Sequence, residues 1–158
     1  MTDLPTQPLD DPQAFKFCPR PVGDSLWHVE SFGSSMVRAR VAQAAIVAHC
    51  QQQGFPEEDL FAIRLALEEA LINAVKHGNK LDPSKIVRVR YRVTETELEV
   101  AIEDEGAGFN PAALPDPTLD ENLCMTAGRG ILLMRAYMDA VVYSPKGTCV
   151  TLTKRKTP

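Results

Sequence analysis

Arg64-Leu-Ala-Leu-Glu-Glu-Ala-Leu-Ile-Asn-Ala-Val-Lys-His-Gly-Asn79 is the stretch on which the reading of this 158-residue chain turns. It predicts the second half of a long helix that begins near Pro56. Pro56 followed by Glu57, Glu58 and Asp59 suits a first helical turn, where a missing N–H is harmless and negative charge meets the positive end of the dipole. Gly78-Asn79 supplies a stop signal. Leu60, Ile63, Leu67, Leu71 and Ala74 fall on one stripe and are assigned to the core. Glu69 and Asn73 are four residues apart, about 40° from each other at roughly 100° per residue, and lie with Lys76 on the opposite side. Leu65, Ala66, Ala70 and Ile72 flank that pair, which predicts a partly buried groove rather than a solvated face. A buried carboxylate and amide need partners. Two readings stay open on this helix alone. Either the partners are a magnesium ion and a polyphosphate, or Asn73 caps a neighbouring loop while Glu69 pairs with an Arg or Lys.

The rest of the chain narrows the class. Its length suits one domain with a sizeable core. A formal charge of −4 and a pI near 5.4 argue against direct nucleic-acid binding. No apolar run approaches the ~20 residues that span a bilayer. Met1 to Asp11 has neither the basic start nor the apolar core of a secretory signal, so cytoplasm is the expected location. Cys18, Cys50, Cys124 and Cys149 form no C-x-x-C pair, and free thiols are expected. His28, His49 and His77 are widely spaced and suggest no ligand set.

Residues 1–22 carry Pro5, Pro8, Pro12, Pro19 and Pro21 with little apolar content, and read as a flexible leader before a domain over 23–154. Leu26 to Phe32 alternates as a first strand. Gly33-Ser34-Ser35 offers an N-cap to a helix from Met36 to about Gln53, supported by Met36, Val37, Val41, Ala44, Ala45, Val47 and Ala48 and stopped at Gly54. The central helix follows. Ile86–Val93 is a period-two strand with Val87, Val89, Tyr91 and Val93 on one face and Arg88, Arg90 and Arg92 on the other. It forms a hairpin with Leu98–Glu103, whose outer face is expected to carry solvated Arg–Glu pairs. Residues 104–130 read as a long loop, which in a compact domain is usually functional. Ile131–Met138 is a short helix, Asp139–Tyr143 a strand, Pro145–Gly147 a turn and Thr148–Thr153 the last strand, with a loose tail from Lys154. This order gives an α/β (α+β) fold: a two-layer α/β sandwich, its mixed, mostly antiparallel sheet covered on one face by helices. The open sheet face at the first strand leaves room for a homodimer.

Four features ask for one explanation: Glu69-x-x-x-Asn73, Asp104-Glu-Gly106-Ala-Gly108 after a strand, Gly128-Arg129-Gly130 at a helix start, and Gly147-Thr148 entering the last strand. Each alone is a turn or loop pattern. Jointly they suit a nucleotide. An ionised Asp104 accepts only, so it can take the exocyclic amino group of adenine and reject guanine. Gly106 and Gly108 let backbone pass close to a ligand. The N–H groups of Gly128, Arg129 and Gly130 at a helix start make an anion site. Asn73 can offer its side-chain oxygen to magnesium, Glu69 can take a proton from an attacking hydroxyl, and Lys76 can neutralise phosphate charge.

Glu-Ala-Leu-Ile-Asn-Ala-Val-Lys-His-Gly-Asn, Asp-Glu-Gly-Ala-Gly-Phe and Gly-Arg-Gly-Ile-Leu-Leu-Met together resemble the N, G1 and G2 boxes of the GHKL ATPase superfamily. In size and spacing the chain is most similar to the free-standing anti-sigma-factor serine kinases, over roughly residues 24–154. The resemblance implies a Bergerat ATP-binding fold, ATP and Mg2+ as cofactors, and transfer of phosphate to a serine of a STAS-type anti-anti-sigma partner. It also implies controlled release of a sigma factor. By motif position Glu69 is the catalytic base, Asn73 the metal ligand and Asp104 the adenine reader. Lys76, His77, Gly106, Gly108, Gly128, Arg129, Gly130 and Thr148 complete the ATP-binding set, and residues from about Asn110 to Ala127 are the lid.

One departure stands out. Kinases of this group often place a basic residue just before the second glycine pair, whereas here the segment is Met125-Thr126-Ala127, leaving Arg129 or Lys76 for the γ-phosphate. An alternative is therefore a nucleotide-gated module that sequesters its partner with little or no catalysis. A third reading is an ATP domain serving a separate histidine-phosphotransfer protein; this chain shows no dimerisation helix with a phospho-accepting His.

Overall fold

The computed structural model describes residues 27–108 and 126–158. The leader expected over residues 1–22 and most of the expected lid lie outside them. The described elements run β1 (His28–Gly33), α1 (Met36–Gln52), α2 (Glu57–Ile72), a π-helical segment (Asn73–Gly78), β2 (Ile86–Val93), β3 (Glu97–Glu103), α3 (Thr126–Tyr137), β4 (Ala140–Tyr143) and β5 (Cys149–Arg155). The five strands form one sheet in the order β1-β2-β3-β5-β4. All four ladders are antiparallel, so among the described residues the sheet is wholly antiparallel rather than mixed. Helices cover one face, and the expected two-layer α/β architecture holds. No helix among the described residues is long and apolar enough to cross a membrane.

Alternation decides which face of each strand meets the helices. Val87 and Val89 of β2, Leu98, Val100 and Ile102 of β3, and Val150 and Leu152 of β5 are buried against the helical layer. From α2, the stripe Leu60, Ile63, Leu67 and Leu71 meets them, with Ala74 at its end, as the heptad-like spacing requires. Ser35 caps α1, its hydroxyl accepting from the Arg38 N–H at 3.4 Å. Helix α1 is apolar nearly all round, so spacing alone did not fix its inner face. That face is Ala39, Ala42, Ile46, Val47 and Cys50, while Val37 and Val41 are 70% and 57% exposed.

The outer sheet face differs from the solvated surface expected. Arg88 pairs with Glu103 at 3.4 Å, and Arg92 pairs with Glu99 and Glu97, with side chains only 12–31% exposed. Trp27 lies 5.0 Å from the guanidinium groups of both Arg90 and Arg92. Burial pushes the Glu103 carboxyl up to about 7 against the pull of Arg88. The cysteines also depart from expectation: Cys50 is a free buried thiol, raised to about 12 by its burial, but Cys149 is disulfide-bonded. His28 and His49, distant in sequence, bring their rings to 5.1 Å beside Tyr91.

The tail is not loose. Strand β5 runs on to Arg155, and the Lys156 N–H donates to the Thr96 carbonyl at 2.7 Å. The Lys156 ammonium reaches the Gln53 carbonyl at 2.9 Å. Buried Asp59, in the first turn of α2, accepts from the Thr157 N–H at 2.8 Å and its hydroxyl at 2.7 Å. A carboxylate in that place is also favoured by the helix dipole. Asp59→Ala is expected to cost about 1–3 kcal/mol, because it removes two charge-assisted bonds together. A urea melt reads this directly; an unchanged midpoint would mean that β5 pairing alone holds the tail.

Candidate nucleotide site

The site lies where α2 runs out over the carboxyl end of β3. After Ile72 the helix widens into the π-helical segment, so the expected α-helix ends earlier than Lys76 and its last turn is broader. Asn73 is the first residue of that widened turn. A cavity of about 340 Å³ opens beside it, lined on the helical side by Ala70, Asn73, Ala74, His77 and Gly78. Ile102, Asp104, Ala107 and Gly108 line the second wall, and Ile131, Tyr143, Gly147 and Thr148 close the third. The volume is in the range that takes a small ligand with one polar end.

Two glycines let the walls meet. A Cβ at Gly78 would stand 2.4 Å from Asp104 Cγ, and one at Gly106 would stand 2.1 Å from the Gly78 carbonyl oxygen. Backbone thus packs on backbone, with the Asp104 carboxylate held directly against the helix end. Its Oδ1 accepts from the Gly106 N–H at 2.8 Å, which leaves Oδ2 for a ligand. The Asp104 N–H donates to the Thr148 carbonyl at 2.9 Å and ties this loop to the turn before β5.

Burial raises the Asp104 carboxyl from 3.8 to about 6, opposed by the Gly106 bond and by Lys85. The folded chain therefore holds this proton more tightly than the unfolded chain. Its contribution to stability is full below the ordinary carboxylate value and is lost as pH rises through about 6. At neutral pH a charged acceptor is buried, and a ligand donor relieves it.

The Glu69–Asn73 side of the site is built by a third close approach. A Cβ at Gly130 would stand 2.7 Å from Glu69 Oε2 and 3.6 Å from Asn73 Nδ2, so α3 crosses α2 directly over that pair. Helix α3 begins at Thr126, not at Ile131, and Gly128-Arg-Gly130 lies inside it. The N–H groups of a helix are free only in its first turn, so Gly130 contributes its missing side chain rather than an anion-binding donor. Tyr143 hydrogen-bonds the Asn73 side chain, and burial pushes its phenol up to about 12.

Of the residues expected from sequence, Asn73, His77, Asp104, Gly108 and Thr148 line the cavity, while Gly106, Gly130 and Glu69 stand at its edge. Lys76 and Arg129 are exposed and do not line it. Gly128 falls within α3, as do Thr126 and Ala127 from the end of the lid expected over about Asn110 to Ala127; the rest of that segment lies outside the described residues. In the sequence Gly78 reads only as a stop signal, and Tyr143 carries no sign of a place in the site. Gly78 could have been found from its place one turn beyond Asn73; nothing in the short β4 sequence marks Tyr143.

A family described as histidine kinase-like ATPase domain matches residues 33–154. The chain belongs to the histidine kinase-like ATPase family. The GHKL resemblance, on its anti-sigma-kinase branch, is thereby established. Within it, the chain is 32% identical over 127 residues to the anti-sigma F factor of Clostridium perfringens (strain SM101 / Type A), covering 74% of this chain and 85% of that protein. It is 32% identical over 112 residues to the serine-protein kinase RsbW of Bacillus subtilis (strain 168), covering 65% and 69%. The solved RsbU and RsbW domains of Rv1364c from Mycobacterium tuberculosis match with a TM-score of 0.57 at 16% identity, over 85% of this chain and 34% of that one, which shows a shared fold.

For a member of this ATPase family, the free Oδ2 of Asp104 makes a sharp expectation. In Asp104→Asn the Oδ1 bond to Gly106 can persist, so an N–H donor replaces the acceptor that faces the ligand. ATP affinity is expected to fall at least ~100-fold, while the thermal midpoint at pH 7.5 rises because no buried charge remains. Wild-type ATP affinity should weaken as pH falls through about 6, more steeply than in the variant, whose pH dependence is that of the phosphates alone. Equal ATP affinity in both proteins would remove Asp104 from base recognition.

Proposed function

We propose that the chain is a Mg-ATP-dependent protein serine kinase of the anti-sigma type, which phosphorylates a STAS-type anti-anti-sigma partner and holds a sigma factor when that partner is unavailable. The observation that carries this reading is the joint placement of Glu69 and Asn73 beneath Gly130, beside the cavity that Asn73 and Asp104 both line. The names of the relatives support it: one is an anti-sigma F factor, another a serine-protein kinase.

In this reading Asp104 accepts from the adenine amino group, and Gly108 and Thr148 border the base and sugar. Asn73 would hold a magnesium ion through its side-chain oxygen, a hard donor of the kind that ion takes, and Glu69 nearby is left free as the base. Bound there, the metal would neutralise charge on the β- and γ-phosphates. The Tyr143 bond to the Asn73 side chain fixes the rotamer of that amide. Glu69 takes the proton of the partner's serine hydroxyl as the serine oxygen bonds to the γ-phosphorus. The bond from that phosphorus to the β–γ bridging oxygen breaks, and ADP leaves. The homodimer and a cytoplasmic setting belong to the same proposal.

A second reading, a nucleotide-gated module that sequesters its partner without transfer, draws on the outward position of Lys76 and Arg129, which leaves neither lining the cavity. One experiment separates the two. Purified protein, γ-labelled ATP and a STAS-domain protein should give labelled partner, and Glu69→Ala should lower that rate by about 100-fold or more while ATP affinity stays within about threefold. Normal ATP binding with no transfer by the wild type would favour the sequestering module; equal transfer by both would remove Glu69 as the base.

A further inference from the structure

Asn79 is fully buried and polar, and the nucleotide reading makes no use of it. Its side chain works in two directions. Nδ2 donates to the Ile86 carbonyl at 2.9 Å, and Oδ1 accepts from the Glu105 N–H at 2.8 Å. The Ile86 N–H in turn donates to the Glu105 carboxylate at 2.7 Å. These bonds close a ring through three places: the end of the π-helical segment, the start of β2 and the loop that leaves β3. Asn79 is anchored in its own right, since its N–H donates to the Ala74 carbonyl at 2.9 Å. The next two residues, Lys80 and Leu81, hold φ of 52° and 57°, a left-handed backbone that residues with side chains seldom adopt. Lys80 also lines the cavity.

The residue gripped by Asn79 directly follows Asp104. Gly106 and Gly78 meet as bare backbone, so at that contact neither side has a side chain with which to hold the other. The Gly106 bond is internal to the loop, and the bond from the Asp104 N–H to Thr148 ties it to β5, not to the helix. The Asn79–Glu105 bond therefore sets how closely the Asp104 carboxylate approaches the helical wall. Only a side chain that donates and accepts at once can satisfy both Ile86 and Glu105; Asp lacks the donor and a hydrocarbon lacks both. We propose that Asn79 is a positioning residue for base recognition: through the Glu105 backbone it holds Asp104 in register with the base, and the strained Lys80–Leu81 turn is tolerated to keep it there. The proposal rests on Asp104 being the adenine reader.

Asn79→Ala, Glu105→Ala and Asp104→Asn in the full chain, titrated with Mg-ATP and Mg-GTP, test it. Asn79→Ala is expected to weaken ATP roughly tenfold to a hundredfold, the loss that follows a misplacement of about 1 Å. The ATP-over-GTP preference should shrink by a similar factor, because contacts at the phosphate end are untouched. Glu105→Ala, at an exposed position, should move both quantities the same way by a smaller factor. A role confined to the scaffold would instead lower the melting temperature and leave base preference alone. A folded Asn79→Ala protein with preference within twofold of wild type overturns the proposal. Should Asn79→Ala not fold, an unchanged preference in Glu105→Ala overturns it equally. If Asp104→Asn loses ATP affinity while the other two keep it, the positioning role falls and base reading survives; if Asp104→Asn binds ATP normally, both fall.

Discussion

The fold depends on one close approach, that of the loop after β3 onto the end of the central helix. Gly106 rests on the Gly78 carbonyl with no room for a Cβ, and the Asp104 carboxylate is pressed against Gly78 from the other side. Any side chain at either glycine would push the helix off the sheet and open the cavity to water. The same device recurs at Gly130, which lets α3 lie across Glu69 and Asn73. The cavity is thus bounded by three close approaches at glycines, one of backbone on backbone and two of backbone on the side chains of Asp104 and of Glu69 and Asn73.

That packing has an electrostatic consequence. A carboxylate held against a helix end loses water faster than it gains donors, and the carboxyl of Asp104 is raised accordingly. Such a group destabilises the empty protein at neutral pH and is relieved by a ligand that brings a donor. Strain in the Lys80–Leu81 backbone lies beside it. Both lie at the wall of the cavity, and a functional site is where a fold is expected to be locally less than optimal.

Much of this was legible in the sequence because local rules and global fold agree there. Ile86–Val93 has period two and forms the strand of those bounds, and the Leu60–Leu71 stripe has helical period and is the core. Asn73 and Asp104 were placed on one cavity from motif spacing. The misses have definite causes. The π-helical turn comes from a change in backbone hydrogen bonding that no side-chain pattern encodes. Helix α3 starts before its two glycines because its packing on α2 outweighs their poor propensity. The arginine face of β2 looked solvated because alternation gives the face of a residue but not what lies over it. The tail looked polar and loose because the Asp59 and Gln53 groups that bind it lie about 100 residues away in sequence. Tyr143 was missed for the same reason: it meets Asn73 only through the fold.

The central claim is that these backbone contacts build a pocket for an adenine nucleotide. Titration calorimetry of the wild-type chain with ATP in the presence of magnesium tests it most directly. The expected result is saturable one-to-one binding of ATP, with GTP far weaker and with the binding lost when Asp104 is replaced by Asn. A sample that is folded by circular dichroism and gives no heat with ATP would contradict it.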